Sequence, residues 1–202
     1  MKILMTAFDA FGGETINPAL EAVQRLTPPA GVELIRVEVP TVFGKSVQVA
    51  AEAIAREHPD VVLCIGQAGG RAQITPERVA INVMDATIAD NAGVMPVDAP
   101  VVPGGENALF ATVPVKRLVQ TIQLEGIPAK LSNTAGTFVC NQLLYGVLHL
   151  CKEQYPHIQA GFIHVPFLPQ QTVGKGDLPS MPLEDMVRAL EAVLACLAEG
   201  QP

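Results

Sequence analysis

The sequence predicts an α/β fold in which one open, twisted, mostly parallel sheet carries helices on both faces. Short β-rich runs alternate with amphipathic helical segments along the chain, and that alternation is typical of strand–helix–strand units. The run VVLCIG, residues 61–66, is apolar throughout, as expected for a central strand buried on both faces. The 202 residues are 49% hydrophobic and contain no repeat or linker, so we expect a single domain over residues 1–202.

The predicted elements follow from local patterns, with Pro59 ending the second helix and a glycine ending the last one. In chain order they are a strand in KILMTAF, a helix in NPALEAVQRL, a strand in VELIRVEV, a helix in GKSVQVAAEAIAREH, the strand VVLCIG, a β-like run in VAINVM, a helix in VPVKRLVQTIQLEG, a strand in PAKLSN, a helix in CNQLLYGVLHLCKEQ, a strand in QAGFIHVPF and a helix in PLEDMVRALEAVLACLAEG.

Charge and cysteine content exclude several classes of protein. A net charge of −7 and the absence of Lys/Arg runs argue against a nucleic-acid or anionic-membrane partner. The apolar run near the N-terminus is too short and interrupted for a signal peptide or a membrane span. The four cysteines lie far apart without CxxC spacing, which favours a reduced, cytoplasmic protein.

Two phosphate-binding signals and a metal site are set aside. FGKS, residues 43–46, lacks the glycine that a P-loop requires five positions earlier, where Val39 stands. GQAGG, residues 66–70, lacks GxGxxG spacing and runs into a loop, although a nucleotide-binding module using it remains an alternative. The four histidines form no metal-ligand motif, so we expect no metal and no cofactor.

Cys140 and His164 are the residues that suggest catalysis. Cys140 stands where a glycine-containing loop gives way to a helical pattern, and a helix N-terminus favours thiolate. His164 stands at the carboxyl end of a predicted strand, and the preceding strand, PAKLSN, ends on the same sheet edge just before Cys140. An imidazole there can take the thiol proton and return it to a leaving amine.

A third, acidic group should orient the imidazole. Spacing alone leaves five acids on that edge open: Asp9, Glu14, Glu77, Asp85 and Asp90. For Glu77 the alternative is an acid in the first turn of a helix, with Thr75 as N-cap and Pro76 at the first position.

Five segments together resemble the pyrrolidone-carboxylate peptidase family, also called pyroglutamyl peptidase type I: FDAFGGETINP, VPTVFGKS, GQAGGRAQITPERVAIN, TAGTFVCNQLLYG and GFIHVPFLPQQ. Their order and spacing agree from Met1 to about Gln171. The resemblance implies a cysteine peptidase that removes N-terminal pyroglutamate from peptides. It implies Cys140 as nucleophile, His164 as base and Glu77 as the orienting acid.

The resemblance also implies a pocket for the pyroglutamate ring. Its members would be Phe8, Phe11, Thr41, Ile88, Phe138 and Val139, with Gln67 and Asn17 as polar positions near the ring. A neutral lactam needs apolar packing and a few hydrogen bonds rather than a charge. Core packing is the alternative for the phenylalanines. We also expect backbone N–H groups at the start of the Cys140 helix to stabilise an oxyanion.

One segment departs from the family. Where many relatives read ARIPDN, this chain reads ATIADN, with Thr87 in place of arginine and Ala89 in place of proline. If that arginine supports the active-site loop, turnover is expected to be lower. The family is cytosolic and often tetrameric, so a homo-oligomer is expected. A different Cys-His-Glu amidase on an α/β sheet remains the alternative enzyme.

Overall fold

The structure, a computed structural model, describes residues 1–200. Its seven strands are β1 (Lys2–Phe8), β2 (Glu33–Val39), β3 (Val61–Gln67), β4 (Thr75–Pro76), β5 (Val79–Ile81), β6 (Ala108–Phe110) and β7 (Gln159–Val165). Its six helices are α1 (Pro18–Arg25), α2 (Lys45–Glu57), α3 (Val115–Leu124), α4 (Val139–Gln154), α5 (Pro169–Thr172) and α6 (Leu183–Ala198).

The predicted fold class is confirmed. The main sheet has the order β2-β1-β3-β7-β4, and its first four strands are parallel. β3, which contains the apolar run VVLCIG, is the central strand, and its residues Val61–Gly66 are buried. Burial on both faces requires an apolar side chain at every position, which explains why this strand shows no alternation.

The two faces of the sheet carry separate cores. Helices α1, α3 and α6 pack on one face, where Leu118, Leu190 and Ile163 are fully buried. Helices α2 and α4 pack on the other, around Ile54, Leu144 and Phe162. Alternate residues of each strand feed the two cores, as the period of two in a strand requires. None of the helices between residues 1 and 200 has the length and apolar character needed to cross a bilayer.

The predicted strand PAKLSN is wrong as a regular strand and as a neighbour of β7. Residues 128–133 are extended and form only isolated parallel bridges, Ile74 with Ala129 and Glu77 with Ser132. β4 lies between this segment and β7 and runs antiparallel to β7. A helix beginning at Thr75 and Pro76 is therefore also wrong, because those two residues are β4 itself.

A second, two-stranded sheet joins β5 to β6, and the chain between them forms a long excursion, residues 82–107. An antiparallel backbone bridge between Met84 and Ala99 holds the two sides of this excursion together. Its outer part carries four exposed apolar side chains, those of Ile88, Val94, Met95 and Val97. The predicted β-like run VAINVM contains β5 and then enters this excursion.

Candidate active site

The inserted strand β4 places Glu77 beside His164. Thr75 pairs with His164 and Pro76 with Ile163, and the next backbone N–H, that of Glu77, donates to the Phe162 carbonyl at 2.9 Å. On its other side Ser132 N–H donates to the Pro76 carbonyl at 2.9 Å. Backbone ladders on both sides thus fix Glu77, and its side chain is fully buried.

Cys140 is the second residue of α4, and its sulfur packs over β3. An ideal Cβ built on Gly66 would lie 3.1 Å from the Cys140 sulfur, and Gly66 is the register partner of His164 across β3 and β7. A side chain at Gly66 would also meet the Phe162 ring at 2.7 Å. The bare backbone of Gly66 therefore lets the sulfur approach the sheet next to the histidine.

The helix that carries Cys140 is anchored by the following residue. Asn141 is fully buried, its side-chain oxygen accepts from Ile81 N–H at 3.0 Å, and its amide donates to the Ile81 and Val83 carbonyls. The start of α4 is thereby tied to the segment that follows Glu77. Asn141 has no counterpart among the predicted site residues, because only the fold brings β5 to this helix.

Glu77, His164 and Arg71 form a connected chain of side chains. His164 Nδ1 lies 2.7 Å from Glu77 Oε1, and Arg71 Nη1 donates to the same oxygen at 2.6 Å. Of the five acids that spacing left open, Glu77 is the one in contact with His164. Polar partners elsewhere occupy the others: Asp9 accepts from Thr41 N–H, Glu14 pairs with Lys175, Asp85 accepts from Asp98 N–H and Asp90 accepts from Phe43 N–H.

The charges in this chain define the state of the imidazole. Burial opposes ionisation of Glu77, but the hydrogen bond and charge of His164, helped by Arg71, hold the pKa of this carboxyl below its ordinary value. Burial lowers the pKa of His164, against the opposing pull of Glu77. At neutral pH the ring is therefore neutral. It donates Nδ1–H to the carboxylate and leaves Nε2 unprotonated as a base.

The expectation of a lowered thiol pKa at the helix start is wrong for this state of the protein. Burial raises the pKa of the Cys140 thiol to about 12, and the negative charge of Glu77 acts in the same direction. Among residues 1–200 no hydrogen bond joins this thiol to the His164 ring. The resting pair is a neutral thiol beside a neutral imidazole, so proton transfer has to accompany nucleophilic attack.

The first turn of α4 has no side-chain cap. Phe138 occupies the N-cap position and offers no capping hydrogen bond. The N–H groups at the start of a helix lack intrahelical partners and carry the positive end of its dipole. They therefore suit a negative charge that develops next to Cys140.

Three aromatic rings gather beside this helix start. Phe138 lies 6.2 Å from Phe11 and 5.3 Å from Phe43 between ring centroids, the second pair edge to face. All three residues are half-buried and come from three different loops. Phe43 was not among the predicted pocket residues, although it lies in the quoted segment VPTVFGKS only two positions after Thr41.

The other predicted pocket residues are spread over different surroundings. Phe8 and Val139 are buried in the core between the sheet and α4, and Ile88 is exposed in the excursion. Asn17 is the N-cap of α1 and donates to the Asp9 carbonyl at 2.9 Å. Thr41 donates its backbone N–H to Asp9 at 2.7 Å, so both polar residues converge on the loop that carries Phe11.

Asp90 and Asn91 hold the excursion against the aromatic loops. Asp90 is buried and accepts Phe43 N–H at 2.8 Å. Asn91 donates to the Ala10 carbonyl at 2.9 Å, and its backbone N–H donates to the Thr41 carbonyl at 3.0 Å. The departing positions Thr87 and Ala89 point to solvent just before this pair. The segment Asp90–Asn91 makes these contacts.

Gln67 is held by a residue that sequence reasoning missed. The Gln171 amide N–H donates to Gln67 Oε1 at 2.9 Å, while Gln171 Oε1 accepts from Leu168 N–H at 2.9 Å. A backbone N–H is always a donor, so it fixes which end of the Gln171 amide faces Gln67. Gln67 must present its oxygen to Gln171, and its NH₂ group remains for another partner. The residues described contain no cluster of His, Cys, Asp and Glu that could hold a metal ion.

The chain matches a known protein family along almost its whole length. The family model for pyroglutamyl peptidase matches residues 1–199. A pyrrolidone-carboxylate peptidase of Streptococcus suis is 52% identical over 200 residues, which cover 98% of this chain and 93% of that protein. One from Alkaliphilus oremlandii is 51% identical over 202 residues, covering 100% of this chain and 95% of the relative.

Solved structures show the same similarity in three dimensions. Pyroglutamyl peptidase I of Bacillus amyloliquefaciens superposes with a TM-score of 0.95 at 48% identity, covering 98% of this chain and 97% of that one. A mutant pyrrolidone carboxyl peptidase from Pyrococcus furiosus superposes with a TM-score of 0.94 at 37% identity over the whole of both chains.

Proposed function

The chain belongs to the pyroglutamyl peptidase family and is a cysteine peptidase, and we propose that it removes N-terminal pyroglutamate from peptides with Cys140 as nucleophile, His164 as base and Glu77 as the acid that orients the base. The observation that carries this assignment is the 2.7 Å contact between His164 Nδ1 and Glu77 Oε1, on the sheet edge against which the Cys140 sulfur packs.

The reaction follows from the neutral resting pair. As the Cys140 sulfur bonds to the pyroglutamyl carbonyl carbon, its proton passes to Nε2 of His164, and Glu77 stabilises the imidazolium that forms. The carbonyl oxygen becomes an oxyanion beside the uncapped start of α4. The imidazolium then protonates the leaving amine and the C–N bond breaks, which leaves a thioester. His164 next deprotonates a water that hydrolyses the thioester and restores the thiol.

We assign the ring of the substrate to the aromatic cluster of Phe11, Phe43 and Phe138. Apolar ring faces next to the helix start suit the three methylene and methine carbons of a lactam. Gln67 supplies polarity without charge, since its free NH₂ group can donate to the lactam carbonyl. Phe8, Asn17, Thr41, Ile88 and Val139 remain predicted members of this pocket.

The proposal is tested by release of aniline chromophore from a pyroglutamyl anilide, beside prolyl and glutaminyl anilides. We expect hydrolysis of the pyroglutamyl compound alone and none by Cys140→Ala. Cys196→Ala, which alters a buried thiol in the opposite core, is the matched control and should retain activity. Preferred cleavage of the glutaminyl compound would contradict the proposal and would favour the alternative, a different Cys-His-Glu amidase.

We also propose that the protein works in the cytoplasm as a homo-oligomer, a tetramer by analogy with the family. All four cysteines are free thiols, which suits a reducing compartment. The exposed apolar side chains Ile88, Val94, Met95 and Val97 of the excursion support self-association. Light scattering on the purified chain tests the assembly: a mass four times that of the chain is expected, and a monomer at micromolar concentration would contradict it.

A further inference from the structure

Arg71 makes more contacts with the catalytic acid and its surroundings than the proposed reaction requires. Nη1 donates to Glu77 Oε1 and to Thr75 Oγ1, each at 2.6 Å, and Nη2 donates to the Thr134 carbonyl at 2.9 Å. The guanidinium thus spans β4, the carboxylate and the turn that leads to α4. Ser132 closes the same group, because its hydroxyl donates to the Thr134 carbonyl at 3.0 Å.

The two hydrogen-bond donors to the Glu77 carboxylate bind the same oxygen atom. Arg71 and His164 both bind Oε1, while the buried Oε2 atom has no hydrogen-bond partner among the described residues. A carboxylate held through one oxygen by one imidazole could rotate towards another donor. The planar fork of an arginine, fixed at its second nitrogen by a backbone carbonyl, prevents that rotation.

Because of these contacts, we propose that Arg71 is a positioning residue for the reaction: it holds the Glu77 carboxylate on His164 and ties that carboxylate to the turn preceding Cys140. The inference rests on the proposed function. Arg71 acts through Glu77 and does not touch the substrate. It also partly neutralises the carboxylate, so that the imidazole stays uncharged at lower pH than it would beside a free carboxylate.

Two variants separate the geometry of Arg71 from its charge. Arg71→Gln removes both, whereas Arg71→Lys keeps a positive charge but loses the fork. We expect kcat/KM for the pyroglutamyl anilide to fall at least about tenfold in each, through kcat rather than KM. The acid limb of the pH profile should move to higher pH in Arg71→Gln, because the Arg71 charge helps keep the pKa of His164 and of Glu77 low. It should move less in Arg71→Lys.

The matched control is Arg36→Gln. Arg36 is an exposed arginine of β2 that also donates to backbone carbonyls, those of Val23 and Leu26, far from the catalytic acid. The Arg36→Gln variant should leave the pH of the acid limb unchanged and kcat/KM within about twofold of the parent value.

In a double variant of Arg71→Gln with Glu77→Gln, the losses of kcat/KM from the two sites should be much less than additive, since Arg71 acts through Glu77.

A substrate-independent readout distinguishes this inference from the proposed function. The ring nitrogens of His164 can be titrated by ¹⁵N NMR in the parent protein and in Arg71→Gln, where the larger shift is expected. Arg71→Lys, which keeps the positive charge, is the second variant if Arg71→Gln does not fold. A shifted His164 titration supports the inference even if no pyroglutamyl compound is cleaved. An unchanged titration, with kcat/KM within twofold of the parent in Arg71→Lys, would overturn it.

Discussion

The residue that organises the site is Glu77, a fully buried carboxylate whose Oε1 atom receives both His164 and Arg71. An isolated buried carboxylate would take up a proton, whereas two charge-assisted donors keep this one ionised. Ionised Glu77 fixes the tautomer of His164 with Nε2 free. The acid therefore determines which nitrogen of the histidine can act as a base.

The ionisation of His164 and Cys140 predicts the pH dependence of the reaction. Activity needs neutral His164, whose pKa is lowered by burial from an ordinary value of 6.5. kcat/KM should therefore lie on its plateau at neutral pH and fall on the acid side only as the pH drops through a value below 6.5. Because the pKa of Cys140 is raised to about 12, no second limb is expected between about pH 7 and 9.

A pH–rate profile of pyroglutamyl anilide hydrolysis measures both limbs. A rise in kcat/KM between about pH 7 and 9 would show that a thiolate of ordinary pKa is the reactive form, contrary to this account.

Glu77→Gln should lower kcat by about a thousandfold or more, since an amide cannot hold the same tautomer of His164 or stabilise the imidazolium. Glu14→Gln, which removes an exposed salt bridge, is the control and should be nearly neutral.

At the scale of elements, the regular strands and helices were predictable and the inserted strand was not. Strand β1 is a short apolar run, helices α2, α4 and α6 carry clear helical periodicity, and Cys140 was correctly placed at a helix start. β4 is two residues long and contains proline, so no pattern marks it. Its position between residues 128–133 and β7 depends on tertiary pairing, which is why spacing alone left the choice among five acids open.

The contacts of the short helix α5 could not be predicted from the sequence either. Gln171 is buried and joins α5 to Gln67 at the end of β3. Nothing in PQQT distinguishes it from its exposed neighbour Gln170, because the distinction arises only when the chain folds back on β3. Arg71, Phe43 and Asn141 escaped prediction for the same reason, since each acquires its role through a partner distant in sequence.

The orientation of Gln67 can be tested through Gln171. Gln171→Glu keeps an oxygen for the Leu168 N–H but removes the donor to Gln67, so the Gln67 amide is free to reverse. We expect KM for the pyroglutamyl anilide to rise by up to about tenfold, the worth of one hydrogen bond, with a smaller change in kcat. Gln170→Glu adds the same charge one position away and is the control. Equal KM values for the two variants would contradict the assigned role.

At the scale of the whole molecule, the site lies where the two cores meet the carboxyl edge of the parallel strands. His164 and its register partner Gly66 each stand one residue before the end of their strands, β7 and β3, while α4 brings Cys140 from the α2/α4 face. Composition and periodicity were sufficient to predict this architecture, and the rule for open α/β sheets is the basis for proposing this edge as the site. The excursion of residues 82–107, with its contacts through Asp90 and Asn91, has no periodicity and could be located only in the folded chain.

The whole protein contains four thiols, and we expect only Cys140 to react readily with a pyroglutamyl reagent. Cys64, Cys151 and Cys196 are buried in the cores, and burial raises the pKa of Cys64 to about 12 and that of Cys151 to about 11. Cys140 is the half-buried one and the one beside a base. Selective modification of Cys140 should therefore come from binding of the reagent in the proposed pyroglutamyl pocket and from His164, rather than from a low pKa of the thiol.

The most direct measurement is active-site labelling with one equivalent of pyroglutamyl chloromethyl ketone, followed by peptide mass spectrometry and an activity assay. We predict alkylation of Cys140 alone, loss of activity in proportion to labelling, protection by free pyroglutamate, and slow labelling of His164→Ala. Labelling of Cys64, Cys151 or Cys196 in place of Cys140, or full activity after complete alkylation of Cys140, would contradict the account.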